Sequence, residues 1–556
     1  MAAVGGVSDG GVGRGEPRSA APGAGSSRAG SSRVGSTGVG GFLAAIADVG
    51  RAPSGGYERF AWTVHDLALR EWFAAEAAAR GLDVTVDRAG NQWAWWGDPD
   101  ADGPGVVTGS HLDSVPAGGA FDGPLGVASA FAALDALRAS GVTPVRPLGI
   151  VNFSDEEGAR FGLACLGSRA VTGTVPAERL LALRDRAGDS LADVLGRVSP
   201  SGVGVGVGGG ETWRSGGVRL DHYGRDPEAL ARIGVFVELH VEQGRYLADL
   251  PVDEAAPVAV GAAIWPHGRW RVDLAGEANH AGTTPLAHRH DPMLDLARLI
   301  TDVRAAAEHT GALATLAKVE VEPNGVNAIP SRVRAWIDAR AETEQAVRSV
   351  IGAPSSSEPA NVGVVAASGL TERPTLRSAA DGGVGSYAAD SRAGSHAADG
   401  GAGTHTADGR AGDSAGDPDR SGRGVAGGTG LGAWRPVEES WTPATVFDPA
   451  LAARLADVVG RPGSALPAPV IGTGAGHDAG ILAAAGVPSA MLFVRNPTGV
   501  SHSPAEHAEQ ADCDAGVRAL TAVLADLLTA PARLPSGPNG SARQAGRAPS
   551  VPADPR

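Results

Sequence analysis

The residues with chemical potential stand in short clusters. In GSHLDSVPAGGAFDGPLG, His111 and Asp113 are two apart, and Asp122 follows nine residues later. Residues two apart at a strand end point to the same side. An imidazole there can take a metal, its neighbouring carboxylate can orient the ring through the other nitrogen, and a second carboxylate can bridge two ions. The HxD spacing alone is a weak pattern that a solvated polar loop would also show.

NFSDEEGARFG supplies three consecutive acids, Asp155, Glu156 and Glu157. Adjacent glutamates point different ways, so one can ligate a metal while its neighbour stays free as a general base for an attacking water. A helix N-terminus enriched in acids for its dipole is the alternative reading. ELHVEQG places His240 at another strand end, and VSHSPAEHA supplies His502, with Glu506 four residues on as a partner for it. Together His111, Asp122, Glu157, His240 and His502 form a set of nitrogen and oxygen donors suited to two zinc or manganese ions sharing one carboxylate.

These clusters need elements to hold them. VVTGSH from Val106, LGIVNFS from Leu148 and IGVFVELH from Ile233 are short apolar runs of the kind that form buried strands. Between the first two, Val127, Phe131, Leu134 and Leu137 mark a helix that Gly141 stops. Strand and helix alternate as in a parallel α/β sheet, and each strand ends in a polar cluster. Ligands of open α/β sheets bind beyond the carboxyl ends of strands. From about 262 to 353 the pattern changes. RWRVDLAG alternates with period two, Asp291 and Pro292 open a helix with Met293, Leu296, Ile300 and Val303 on one face, and ATLAKVEVE and RVRAWIDAR alternate again. This predicts a β-α-β-β module, after which HDAGILAAAG, PSAMLFVRN and a last helix through Leu520, Val523 and Leu527 resume the first domain.

Composition bounds the remaining possibilities. The chain has 556 residues with 82 Gly and 38 Pro, so much of its length is not core. A net charge of −15, from 47 basic and 62 acidic side chains, excludes a cationic nucleic-acid-binding surface as the main feature. Two cysteines, Cys165 and Cys513, are too few for a disulfide framework. They read as inert packing. The start lacks an apolar h-region and no run of apolar residues is long enough to span a bilayer, so a reducing, cytoplasmic setting is expected. Residues 1–41 and 531–556 are expected to be disordered, the stretch SGVGVGVGGG from Ser201 to be a linker, and the tract 354–433, with its nine-residue repeat, to be a low-complexity insert.

The motifs GSHLDSVPAGGAFDGPLG, SDEEGARFG, ELHVEQG, GEANHAGTTP, PNGVNAIP, DAR, GAGHDA and SHSPAEHA occur in this order. In that order the chain resembles the dinuclear-metal amidohydrolases that include allantoate amidohydrolase and N-carbamoyl-L-amino-acid hydrolase, in the aminoacylase and carboxypeptidase clan. The resemblance implies an α/β, zinc-peptidase-like catalytic domain (42–261 and 448–530) with an inserted ferredoxin-like α+β lid and dimerisation domain (262–447). VEESWTPATVF must then return the last lid strand. It also implies two divalent ions per subunit, Zn2+ or Mn2+, one held by His111, Asp122 and His240 and the other by Asp122, Glu157 and His502. Glu156 would be the general base, with Asp113 beside His111. His280 would cross a homodimer interface to stabilise the tetrahedral intermediate. Asn327 and Arg340 would hold the substrate carboxylate, with His477 on the substrate side and Gln243 facing the ureido group. His240 followed by Gln243 points to the ureido and carbamoyl branch, since the peptidase branch usually has an acid at the position of His240. The expected reaction is hydrolysis of a small ureido or carbamoyl acid. Allantoate comes first; an N-carbamoyl-L-amino acid or another N-acyl acid such as N-formylglutamate is the near alternative, and an inactive scaffold is the alternative from another class. No nucleic-acid or membrane partner is expected. His288, Arg289 and His290 in LAHRHDP receive no role from the resemblance.

Overall fold

The computed structural model describes residues 38–198, 218–352 and 435–530. The expected disordered, linker and low-complexity stretches lie outside these residues, except that the arm expected to run to 41 ends inside a helix, Val39–Ala45. The chain divides into two compact units. One comprises the residues up to His267 with those from Thr442 onward, and the other is Gly268–Trp441.

In chain order the strands of the first unit are β1 (Asp83–Val86), β2 (Gln92–Trp96), β3 (Gly105–His111), β4 (Leu148–Phe153), β5 (Ile233–Val241) and β6 (Val258–Ile264). Those of the second are β7 (His267–Ala275), β8 (Asn279–His280), β9 (Leu313–Glu322), β10 (Ala328–Ile329), β11 (Arg332–Arg340) and β12 (Val437–Thr442). The chain then returns to the first unit through β13 (Thr445–Val446), β14 (Val470–Thr473) and β15 (Ser489–Val494).

The sheet of the first unit runs β1-β2-β4-β3-β5-β15-β6-β13, with β14 also on β6. Its centre, β4-β3-β5-β15, is parallel. Antiparallel pairs flank it, so the sheet is mixed where the strand-helix alternation had suggested a parallel one. The central strands β3, β4 and β15 are buried along their whole length, as their unbroken apolar runs require. Helix Pro124–Ala139 places Val127, Phe131, Leu134 and Leu137 in the core, and Gly141 follows its end at φ 73°. Phe131 is ringed by Phe42, Trp72 and Phe73, with centroids 6.1, 6.1 and 5.4 Å away. Because β3, β4, β5 and β15 run the same way, the residues just after each collect at one edge of the sheet.

The second unit has the order β7, helix Pro292–Thr310, β9, β11, helix Glu344–Ile351, β12, and a sheet β12-β7-β11-β9. This is a β-α-β-β-α-β arrangement. The strand that completes it, β12, comes from VEESWT. The first helix opens as its residues dictate: Asp291 accepts a hydrogen bond from the Met293 N–H, and Pro292 sits at N1. Its buried face differs from the expected one. Leu296, Leu299, Val303 and Ala307 are buried, whereas Met293 and Ile300 are exposed. The stripe that matches the alternating buried residues Val333, Ala335, Ile337 and Ala339 of β11 is rotated by about one position from the one drawn through the bulkiest side chains. Among the described residues no helix is long and apolar enough to cross a membrane.

Removing the Phe131 ring empties the centre of an aromatic cluster. Phe131→Ala is expected to destabilise the first unit by about 3–5 kcal/mol, read as a lowered urea midpoint with unchanged slope.

Candidate metal centre

Four segments meet at the carboxyl edge of the sheet. β3 ends on His111, β4 leads into Asp155–Glu157, β5 carries His240, and the chain beyond β15 reaches His502. The three acids occupy an irregular loop, so the helix-terminus reading of that run does not hold. Asp122 sits just before the helix at Pro124 and lies between the others.

Two groups of potential ligands share Asp122: His111, Asp122 and His240, and Asp122, Glu157 and His502, with the ligand atoms of each group within 4.8 Å of one another. Asp122 Oδ1 is 3.1 Å from His240 Nε2 and 3.8 Å from His111 Nε2. On the other side, His502 Nε2 is 3.5 Å from both Asp122 Oδ2 and Glu157 Oε2. His240 Nδ1 lies 2.9 Å from the Val241 carbonyl, to which it can only donate. Its Nε2 faces the Asp122 carboxylate oxygen, buried and without a hydrogen-bond partner. An imidazole nitrogen and a carboxylate oxygen at that separation need a proton or a cation between them, and the nitrogen and oxygen donors gathered around this orphaned nitrogen fit a divalent metal.

The electrostatics carry the same imbalance. Burial would push Asp122 up, but the imidazoles of His240, His111 and His502 hold it well below the usual carboxylate range. Glu157 is pushed up to about 8 by burial and by the charge of Asp122. Glu156 is raised well above its ordinary value, mainly by burial, against the opposing pull of His111. Burial drives His111 down, and the carboxylates of Glu156, Asp113 and Glu157 more than reverse it. A cluster of acids that holds protons in this way exchanges them for metal when metal binds.

Surrounding side chains fix these groups. His111 Nδ1 is 3.2 Å from the Asp113 carbonyl, while the Asp113 carboxylate accepts the N–H groups of Glu156 and Glu157 at 3.1 Å each. Asp113 therefore ties the His111 strand end to the acid loop. Glu156 stands outside both ligand groups, with Oε2 3.7 Å from His111 Nε2. Its other oxygen, Oε1, accepts from the Cys165 thiol at 3.2 Å, so Cys165 is not inert packing. Glu506 accepts from the N–H groups of Phe121 and Asp122, at 2.8 and 3.0 Å, and so orders the backbone of the shared carboxylate. Ser501 Oγ links Asp122 Oδ2 and Glu506 Oε2, at 3.0 and 3.3 Å. Neither this serine nor the Ser168–Asp478 bond beneath the site, at 2.5 Å, was signalled by the motifs. Asp478 lies in GAGHDA, but a carboxylate between His477 and Ala479 carries no mark of its burial.

Gln243 donates to Asp122 Oδ2 at 2.8 Å, leaving its own carbonyl oxygen buried and unpartnered. His477 is buried with its ring 4.5 Å from that of His240, and its Nε2 also lacks a partner. The remaining expected residues, His280, Asn327 and Arg340, belong to the second unit. His280 pairs with Ala328 across β8 and β10, next to Asn327, whose carbonyl accepts from Ala281 N–H at 2.9 Å. Arg340 closes β11 with its guanidinium on the Asp338 carboxylate, at 2.8 and 3.3 Å.

The profile of Peptidase family M20/M25/M40 matches residues 107–526. N-carbamoyl-L-amino acid amidohydrolase of Geobacillus stearothermophilus is 34% identical over 299 residues, 54% of this chain and 68% of that protein. Allantoate amidohydrolase of Escherichia coli (strain K12) is 27% identical over 487 residues, 87% of this chain and 96% of that protein. The fold is also that of an amidase of the hydantoinase/carbamoylase family from Burkholderia vietnamiensis, with TM-score 0.63 at 24% identity over 89% of this chain and 97% of the other.

Gly123, at φ 81°, lies against the His111 ring, and a Cβ there would stand 2.4 Å from His111 Cε1. Gly123→Ala is expected to displace His111 and lower the metal bound per chain, measured by elemental analysis, while circular dichroism stays that of the wild type.

Proposed function

This chain belongs to Peptidase family M20/M25/M40 and is an amidohydrolase, and from that premise we propose that it hydrolyses the C–N bond of a small ureido or carbamoyl acid. The observation that carries this reading is the pair of ligand groups sharing Asp122, with Glu156 beside them and outside both. His111, Asp122 and His240 would hold one divalent ion, zinc or manganese, and Asp122, Glu157 and His502 the other. When bound, these ions supply Lewis-acid polarisation of the scissile carbonyl and activation of water.

The side chains do the rest. Glu156, held on one oxygen by Cys165, takes a proton from the attacking water with the other and returns it to the leaving nitrogen. Asp113 keeps His111 aimed and the acid loop in register. The unpartnered Gln243 oxygen and His477 Nε2 suit an N–H-rich ureido group, which would satisfy both. Asn327 and Arg340 would grip the substrate carboxylate, and His280 would donate to the developing oxyanion.

A homodimer is part of this proposal. His280 and Asn327 stand at the end of the second unit where β11 begins, and Arg340 stands where it finishes. A strand of this length puts its ends about 26 Å apart. One small acid cannot touch both ends within one chain, whereas a second copy can lend its own paired β8 and β10.

Allantoate is the proposed substrate, yielding ureidoglycine, ammonia and carbon dioxide, with N-carbamoyl-L-amino acids as the second reading. Both rest on relatives that carry those names. Incubating the manganese- or zinc-loaded protein with allantoate, a set of N-carbamoyl-L-amino acids and N-formylglutamate, and measuring ammonia or free amine, distinguishes them. Ammonia from allantoate alone is the expected result. Glu156→Gln should lower turnover by about a hundredfold or more with metal content intact; an active variant removes Glu156 as the base.

A further inference from the structure

His280 is held in an unusual way. Its Nδ1 accepts two backbone hydrogen bonds, from the N–H groups of Gly282 and Thr283 at 3.0 and 3.1 Å. A ring nitrogen that accepts carries no proton, so the neutral ring must bear its hydrogen on Nε2. The turn that supplies those two N–H groups is itself gripped by Arg289. Arg289 Nη2 donates to the Ala281 carbonyl at 2.5 Å, and Nε donates to the Thr284 carbonyl at 3.0 Å. The Ala281 carbonyl and the Gly282 N–H belong to one planar peptide group. A guanidinium on the oxygen side of that plane orients and polarises the N–H that reaches His280 on the other side. Among the described residues Arg289 makes no ion pair, and its guanidinium donates to these two carbonyls. The planar fork of arginine spans two carbonyls three residues apart, which the point charge of lysine does not reproduce.

We propose that Arg289 is the positioning residue for His280: through the Ala281–Gly282 peptide it locks the Nε2–H tautomer and aims that hydrogen outward. The inference rests on the reading of His280 as the oxyanion donor. It gives the arginine of LAHRHDP a task, one that binds a side chain nine positions away in sequence to the ring it serves. A histidine free to exchange tautomers would present a lone pair to the oxyanion for part of the time, and the reaction would lose a donor then.

The test uses full-length, metal-loaded protein carrying 15N-histidine, with Arg289→Met, Arg289→Lys, His280→Ala and the double variant His280→Ala with Arg289→Met. The His280 resonances are identified by their loss in His280→Ala. In the wild type they should report the Nε2–H tautomer; in Arg289→Met and Arg289→Lys they should report a mixture. On the fastest substrate among allantoate and the N-carbamoyl-L-amino acids, Arg289→Met should lower kcat about tenfold or more with KM and metal content close to wild type. The double variant should be no slower than His280→Ala, because Arg289 acts through His280. If Arg289→Met does not fold, Arg289→Lys keeps the charge and removes the fork, and the same readouts apply. An unchanged tautomer signal, or losses that multiply in the double variant, overturns the inference. Failure of the underlying reading looks different: His280→Ala would then turn over at the wild-type rate while the tautomer signal still responds to Arg289.

Discussion

A single buried carboxylate governs this molecule. Asp122 faces His111 and His240 with one oxygen and His502 with the other, so it is the only atom group common to both ligand sets. A lone carboxylate at that depth would be costly to ionise, and three imidazoles are what keep it charged. The rest of the first unit can be understood as the machinery that brings three strand ends and one loop to this point. Parallel pairing of β4, β3, β5 and β15 does so without bending any strand, because their carboxyl ends fall at one edge.

Around Asp122 the hydrogen bonds go mainly to backbone. Glu506 takes the N–H of Asp122 itself, and Asp113 takes those of Glu156 and Glu157. Holding a loop by its backbone leaves the side chains of that loop free for other partners. That division matters for Glu156 and Glu157, which are neighbours in sequence and have opposite tasks in the proposed reaction. Cys165, itself at a positive φ of 55°, closes the arrangement by donating its thiol to Glu156. Glu156 is thereby kept beside the ligand groups and not among them.

The second unit applies the same principle to another histidine. There the backbone of a turn holds the His280 ring, and Arg289 holds the turn. The unit also accommodates a long stretch of chain between helix Glu344–Ile351 and β12. Closure cost grows only with the logarithm of such a length, so the last strand can still find its place beside β7.

Residue type and spacing alone were enough to nominate the five candidate ligands, the acid run with its free neighbour, and the strands and helices that carry them. Those signals are local: an apolar run bounded by glycine, an Asp-Pro helix start, a histidine one or two places from a carboxylate. What required the tertiary structure was every contact between distant segments. Glu506 stands four residues from His502 in sequence, yet the N–H groups it holds are those of Phe121 and Asp122, across most of the chain. Cys165 looked inert because a thiol's partner cannot be read from its neighbours. The buried face of helix Pro292–Thr310 was set by the alternating side chains of β11, which no helical periodicity encodes. Sequence determines which groups are available and which side of their own element they occupy; only folding decides which of them meet, because a hydrogen bond or a shared ligand is a distance between segments and the local pattern contains no such distance.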